Sequence, residues 1–217
     1  VPLGTPTTKW DLFIVVAYGK IIPENILNMP KLGSINIHYS LLPKYRGASP
    51  VESAILNGDA ETGITIQKMA FEMDSGPIIA QEKVLILPNE TTPKLCKRLI
   101  KLGGELLVKI LPELVAGKIK EIPQDGKQAS YCKKIKKEDG LVNLEAEPPS
   151  VLYNKFRAYA GWPRIFFLAR RSLSEGGFQT KRIIITDAEF INGYFAIKKV
   201  LPESKKEIKY EKFKKQL

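Results

Sequence analysis

The 217-residue sequence predicts an α/β domain built on an at least partly parallel sheet, followed by a small, basic, mostly β module. The run Leu12-Phe13-Ile14-Val15-Val16-Ala17 is apolar throughout and rich in β-branched residues, the pattern of a strand buried on both faces. Candidate strands then alternate with candidate helices as far as Leu114, which is the pattern of an α/β sheet. The charge is also divided. Residues 1–126 hold 14 Lys and Arg against 13 Asp and Glu, a net of +1, whereas residues 127–217 hold 20 against 10, a net of +10.

The elements follow in order. Pro23 to Met29 reads as a short helix entered through a proline. Ser34-Ile35-Asn36-Ile37-His38 alternates polar and apolar side chains and predicts a strand with one exposed face. Pro50 to Leu56 is a helix closed by Asn57-Gly58-Asp59, and Gly63 to Met69 and Ile78 to Leu87 are two further strands. From Thr92 to Leu114, apolar residues recur at helical spacing through Leu95, Leu99, Leu102, Leu106, Leu107, Ile110 and Leu114. Residues 118–137 are polar and basic without an apolar period and read as an exposed linker. Beyond it come a helix over Pro149 to Tyr159, stopped by Pro163, and strands over Phe166 to Leu168, Arg182 to Thr186 and Tyr194 to Val200.

Composition narrows the class. With 44% hydrophobic and 26% charged residues the chain is globular rather than disordered. No apolar run approaches the roughly 18 residues of a membrane helix, and Val1 to Lys9 lacks the order of a secretion signal. A soluble, cytoplasmic protein without a membrane partner is expected. Two cysteines, Cys96 and Cys132, make neither a disulfide framework nor, with one histidine, a metal site. The basic module suits a polyanion partner, and charge alone does not separate that from a solvated lysine-rich surface. The chain opens on valine, and an apolar strand at Leu12–Ala17 calls for neighbours on both sides. The first domain is therefore expected to be incomplete at its N-terminus.

The single histidine, His38, stands two residues after Asn36, so the strand period puts both on one face, near the strand end where α/β sheets bind ligands. Asp74, in Met73-Asp74-Ser75-Gly76, lies in a loop between two later strands, where a carboxylate could hydrogen-bond the imidazole, fix its tautomer and stabilise its charged form. Singly, a strand histidine is more often structural, and Asp-Ser-Gly is usually a plain turn. Together, an amide donor for an oxyanion, a base and a carboxylate point to acyl-type transfer. No serine or cysteine stands in a nucleophile motif, which favours direct transfer over a covalent intermediate.

The stretch Asn36-Ile37-His38-Tyr39-Ser40-Leu41-Leu42-Pro43-Lys44-Tyr45-Arg46-Gly47 resembles the N-x-H-x-S-L-L-P-x-x-R-G signature of the 10-formyltetrahydrofolate-dependent formyltransferases. Val16-Ala17-Tyr18-Gly19, Asn57-Gly58-Asp59, Glu61-Thr62-Gly63-Ile64-Thr65-Ile66 and Met73-Asp74-Ser75-Gly76-Pro77-Ile78 agree with it in order. Arg46-Gly47-Ala48-Ser49-Pro50 and Gly63 to Met69 are most similar to the branch that formylates methionine on initiator tRNA. The resemblance implies a Rossmann-like formyltransferase domain over 1–122, a linker over 123–140, and a reduced OB-like β-barrel over 141–217. It places Asn36, His38 and Asp74 as the catalytic trio. Ser40, Leu41, Leu42 and Pro43, with Tyr18 and Gly19, would contact the folate, 10-formyltetrahydrofolate being the formyl donor. The partner would be initiator methionyl-tRNA, gripped through its phosphates by the basic module, and the enzyme a monomer. Formylation of an aminosugar nucleotide or glycinamide ribonucleotide, and a non-catalytic RNA-binding remnant, are the alternatives.

Overall fold

A computed structural model describes residues 10–172 and 178–215, which divide into two compact units. The first comprises residues 10–54, 60–86 and 95–134, and the second residues 55–59, 87–94 and 135–215.

In chain order the elements are β1 (Phe13–Val16), α1 (Glu24–Leu27), β2 (Ser34–His38), β3 (Arg46–Gly47), α2 (Pro50–Leu56), β4 (Glu61–Lys68), β5 (Ile78–Leu85) and α3 (Thr92–Val115). They continue with β6 (Tyr131–Cys132), α4 (Pro149–Ala158), β7 (Phe166–Ser172), β8 (Phe178–Ile191), β9 (Tyr194–Pro202), β10 (Ile208–Lys209) and α5 (Tyr210–Lys214).

The main sheet of the first unit has the order β1-β2-β4-β5. β1 runs parallel to β2, while β2–β4 and β4–β5 are antiparallel, so the sheet is mixed. Two expectations from the sequence change here. β1 is not covered on both faces. It pairs with β2 alone among the described residues, and Ile14 and Val16 are 45% and 46% exposed. β2, expected to show one face to solvent, is instead buried along both, because its polar side chains find internal partners. The Ser34 hydroxyl, for example, donates to the Leu27 carbonyl at 2.7 Å.

α3 lies across this sheet. Leu95, Leu99 and Leu106 are buried, and between them Gly103 faces the Ile37 and Ile64 side chains so closely that an added Cβ would sit 3.1 Å from Ile37 Cγ2. The buried positions 95, 99, 103 and 106 follow the 3.6-residue period that marks the helix in sequence. Ile35, Ile64 and Ile66 complete this core at 1% exposure or less.

The stretch read as an exposed linker is mostly exposed, yet it is tied into the first unit. Ile122 exchanges backbone hydrogen bonds with Ile78, and β6 pairs in parallel with β3.

The second unit carries a four-stranded antiparallel sheet in the order β10-β9-β8-β7. Its expected form as an OB-like barrel is not what the described residues make. β7 and β10 are the two edges and do not pair with each other, and β10 is only two residues long, so the sheet stays open. α4 packs on β8 and β9. Tyr153 and Phe156 on α4 meet Phe190 and Phe195 on the hairpin, with the Tyr153 and Phe190 rings stacked at 5.6 Å. Phe213 of α5 closes the other end against Phe167.

Truncating the α3–sheet core should be costly where burial is complete. Leu99→Ala should lower stability by about 2–5 kcal/mol, whereas Val108→Ala, on the 72% exposed face of the same helix, should change it by no more than about 0.5 kcal/mol. Urea unfolding of the two variants beside the parent chain measures the contrast.

Candidate active site

The first unit encloses an open cavity of about 460 Å³ at the carboxyl ends of β1 and β2, lined by Tyr18, Gly19, Asn36, His38, Gln67 and Asp74, among others. Strand geometry explains the first pair. Asn36 and His38 alternate with the buried Ile35 and Ile37 on β2, so both side chains leave the same face of the sheet. Gln67 reaches the same place from β4, at the point where the β4–β5 register shifts by a bulge.

Asp74 enters from the β4–β5 connection, held by backbone that few residues tolerate. Its own φ is 51°. Two residues on, Gly76 passes so close to β4 that an added Cβ would lie 1.8 Å from the Lys68 carbonyl oxygen. Tyr45, before β3, also has a positive φ of 59°. Such non-glycine conformations cost roughly 1–3 kcal/mol each and persist only where surrounding contacts hold them.

The Asp74 carboxylate gathers donors from three strands. Its Oδ2 accepts from the Gly47 amide at 2.8 Å, and its Oδ1 from Gln67 Nε2 at 2.9 Å and Asn36 Nδ2 at 3.4 Å. Oδ2 also lies 3.6 Å from His38 Nδ1. The other ring nitrogen, His38 Nε2, is 2.9 Å from the Tyr45 carbonyl oxygen. A carbonyl only accepts, so Nε2 carries the proton of the neutral ring and Nδ1 is left as the basic nitrogen. The expectation that Asp74 sets the tautomer therefore changes: the Tyr45 carbonyl sets it, and Asp74 faces the nitrogen that would gain a proton.

Burial holds the His38 pKa below its ordinary value of 6.5, partly offset by the Asp74 charge and the Tyr45 carbonyl, both of which raise it. The ring is thus neutral at pH 7 with an anion waiting beside its lone pair, an arrangement suited to accepting a proton from a substrate. The thiols are poor rivals as nucleophiles. Burial pushes Cys96 up to about 11 and raises Cys132, whose sulfur is also engaged with the Tyr45 and Arg46 carbonyls.

Of the residues expected from sequence, Asn36, His38, Asp74, Tyr18 and Gly19 converge on the cavity. Ser40, Leu41, Leu42 and Pro43 are not among its lining residues. They build the turn beneath it: the Ser40 hydroxyl donates to the Lys44 carbonyl, and the Thr65 hydroxyl and Gln81 amide hold the Ser40 and Leu42 carbonyls. The sequence reading did not single out Gln67 or Tyr45. Gln67 carries a usable signal, a large amide on the register of Thr65 and alternating with Ile64 and Ile66, while the Tyr45 contribution is a backbone carbonyl and has none.

Residues 6–111 match the formyl transferase family. Its curated relatives include methionyl-tRNA formyltransferases. That of Synechococcus sp. (strain JA-2-3B'a(2-13)) is 47% identical over 150 residues, or 69% of this chain and 46% of the relative. That of Thermotoga maritima is 48% identical over 153 residues, or 70% and 49%. The chain spans about half the length of the curated relatives it matches. Among solved structures, a 4-N formyltransferase from Francisella tularensis is 25% identical with a TM-score of 0.65, over 79% of this chain and 69% of that one. HypX from Aquifex aeolicus, solved with tetrahydrofolic acid, shares the fold at 16% identity and a TM-score of 0.69, over 94% of this chain and 38% of that one.

Because His38 is the only histidine, its ring can be titrated by NMR without ambiguity. The midpoint should fall below 6.5, and Asp74→Asn should lower it further by removing the charge that raises it. As pH falls, the unfolded chain takes the proton first. The stability His38 contributes is therefore complete above about pH 6.5 and is lost as pH drops through the folded midpoint. A midpoint above 6.5 in the parent chain would contradict this account of the site.

Proposed function

We propose that the chain transfers the formyl group of 10-formyltetrahydrofolate to the α-amino group of methionine on initiator tRNA. The observation that carries this reading is the convergence of Asn36, His38 and Asp74 on one cavity in a formyl transferase domain. The relatives' name supplies the acceptor, and the net charge of +10 over residues 127–217 supports a polyanion partner. The cavity suits the donor. Tyr18, Ile21, Ile22 and Phe71 offer apolar surface to a flat ring system, and Asn36, Gln67 and Asp74 offer polar groups below it.

The donor supplies the electrophilic formyl carbon, and the protein's part is polar. Asn36 spends one amide hydrogen on Asp74 and has a second with which to hold the formyl oxygen as negative charge develops there. The α-amine attacks, and its proton passes to His38, whose positive charge Asp74 then stabilises. The proton is returned to the departing nitrogen of tetrahydrofolate as its bond to the formyl carbon breaks. Nothing in this sequence needs a metal or a covalent intermediate.

In this reading residues 1–122 are the catalytic part. The open antiparallel sheet and α4, within 141–217, are a reduced counterpart of an OB-like RNA-holding module. In the same reading the protein works in the cytoplasm as a monomer. No helix among the described residues is long and apolar enough to cross a membrane.

A formyl-transfer assay with charged initiator tRNA tests the reading directly. His38→Ala should lower turnover by about 10²–10⁴-fold while donor binding stays within severalfold of the parent, and near-normal turnover would refute the assigned role. Acceptor affinity should fall steeply and linearly on a log–log plot against salt. A flat response would instead indicate a small acceptor such as an aminosugar nucleotide.

A further inference from the structure

Asp74 is held from a second side, by a residue in the stretch whose sequence looks like a linker. Gln124 Nε2 donates to the Asp74 carbonyl at 2.9 Å and the Gly76 carbonyl at 2.7 Å, and lies 3.3 Å from Gln67 Oε1. Gln124 Oε1 in turn accepts from Arg46 Nε at 3.1 Å and Nη2 at 2.7 Å. Arg46 is buried, and its neighbour Gly47 donates the 2.8 Å hydrogen bond to Asp74 Oδ2. One amide therefore bridges the two backbone turns that meet at the carboxylate. It touches the turn that carries Asp74 directly, and through Arg46 the turn that donates to it.

We propose that Gln124 is a positioning residue for Asp74, fixing the Asp74–Gly76 turn, left-handed at Asp74 itself, so that the carboxylate faces His38. The donor side of the amide does this. A residue that merely accepted from Arg46 would leave the Asp74 and Gly76 carbonyls without that hydrogen bond, and the turn would be free to relax from its positive φ. His38 itself is held by the register of β2 and by the Tyr45 carbonyl, whose flanking Tyr45 and Arg46 amides are fixed by Ser130 without Gln124, so loosening the Asp74 turn moves the charge and not the ring. Asp74 is the charge that acts on His38, with the Tyr45 carbonyl as the second group that raises its pKa.

The proposal rests on Asp74 and His38 being a working pair, and its first readout does not require turnover. In the full chain, Gln124→Leu and Gln124→Ala should lower the titration midpoint of the His38 ring relative to the parent, as the Asp74 charge withdraws. An unchanged or raised midpoint overturns the proposal. So does loss of the folded spectrum in both variants, since Gln124 would then be an ordinary folding residue. The second readout separates the two ends of the amide. Gln124→Glu keeps an acceptor for Arg46 but sets carboxylate oxygens against two carbonyls. Its kcat for formyl transfer should drop as far as that of Gln124→Leu, about 10–100-fold, by analogy with removal of groups that support metal ligands, with KM for the donor little changed. Parent-like kcat in Gln124→Glu would show that only the Arg46 contact matters. Should the parent chain transfer no formyl group while the midpoints shift as expected, the functional reading fails and the positioning role stands.

Discussion

A buried carboxylate in a small cavity is costly unless every lone pair finds a donor, and the architecture of the first unit is organised around meeting that demand at Asp74. Its side chain is 13% exposed and takes hydrogen bonds from Asn36 on β2, Gly47 on β3 and Gln67 on β4, with His38 close by. Each donor comes from a different part of the chain, so the carboxylate can be satisfied only when the β2–β4 register, the Tyr45 turn and the β4–β5 connection are all in place. Replacing it with an apolar group would strand those donors, at a penalty of about 1–3 kcal/mol for each one left unsatisfied. The same contacts that offset burial of the charge also keep it at 3.6 Å from an unprotonated ring nitrogen. Stability and chemistry thus depend on one group.

This arrangement explains why the resting ring is neutral although a carboxylate is adjacent. Desolvation outweighs the Coulomb attraction at that distance, so His38 is left as a base. Only when a proton arrives on Nδ1 does the pair become ionic, and the attraction is then available where positive charge has newly appeared. Donors fixed in advance by β-ladders need no reorganisation at that moment, which is the general source of electrostatic stabilisation in enzyme sites.

Much of the site was legible because strand periodicity is a local rule. Asn36 and His38 share a face by their spacing alone, and the helical period of Leu95, Leu99 and Leu106 located the element that covers the sheet. The failures have a common physical cause. Alternation on β2 predicts solvent exposure because a polar residue in a strand usually faces water, whereas here the polar face is the floor of the cavity. The apolar run at β1 predicts burial on both faces because periodicity does not report how many neighbours a strand has. Residues 118–137 lack an apolar period, and a polar segment that hydrogen-bonds inward looks the same in sequence as one that is solvated. The partners of Gln124 at Arg46 and Asp74 are 78 and 50 residues away, beyond any local pattern.

The second unit shows the same limit from the other direction. Its strands were placed by local pattern, but closure is a property of the edges, and edges are set by which distant strands pair. β8 and β9 form a long ladder, while β10 contributes two residues and leaves its outer side unpaired by β7. The unit is held by a buried aliphatic core of Leu152, Ile165, Ile183, Ile185 and Val200, flanked by an aromatic contact between α4 and the β8–β9 hairpin where Tyr153, Phe156, Phe190 and Phe195 meet at centroid distances of 5.6–6.5 Å. An open sheet braced by α4 and α5 keeps a core with few residues and leaves its lysines on the outside. Of these, Lys198 and Lys199 are paired with Glu189 and Glu207, carboxylates already subtracted in the net charge of +10, so a phosphate backbone would meet little free charge at those positions. Any grip on a polyanion must come from the basic residues without such neighbours, acting through summed field rather than through individual contacts.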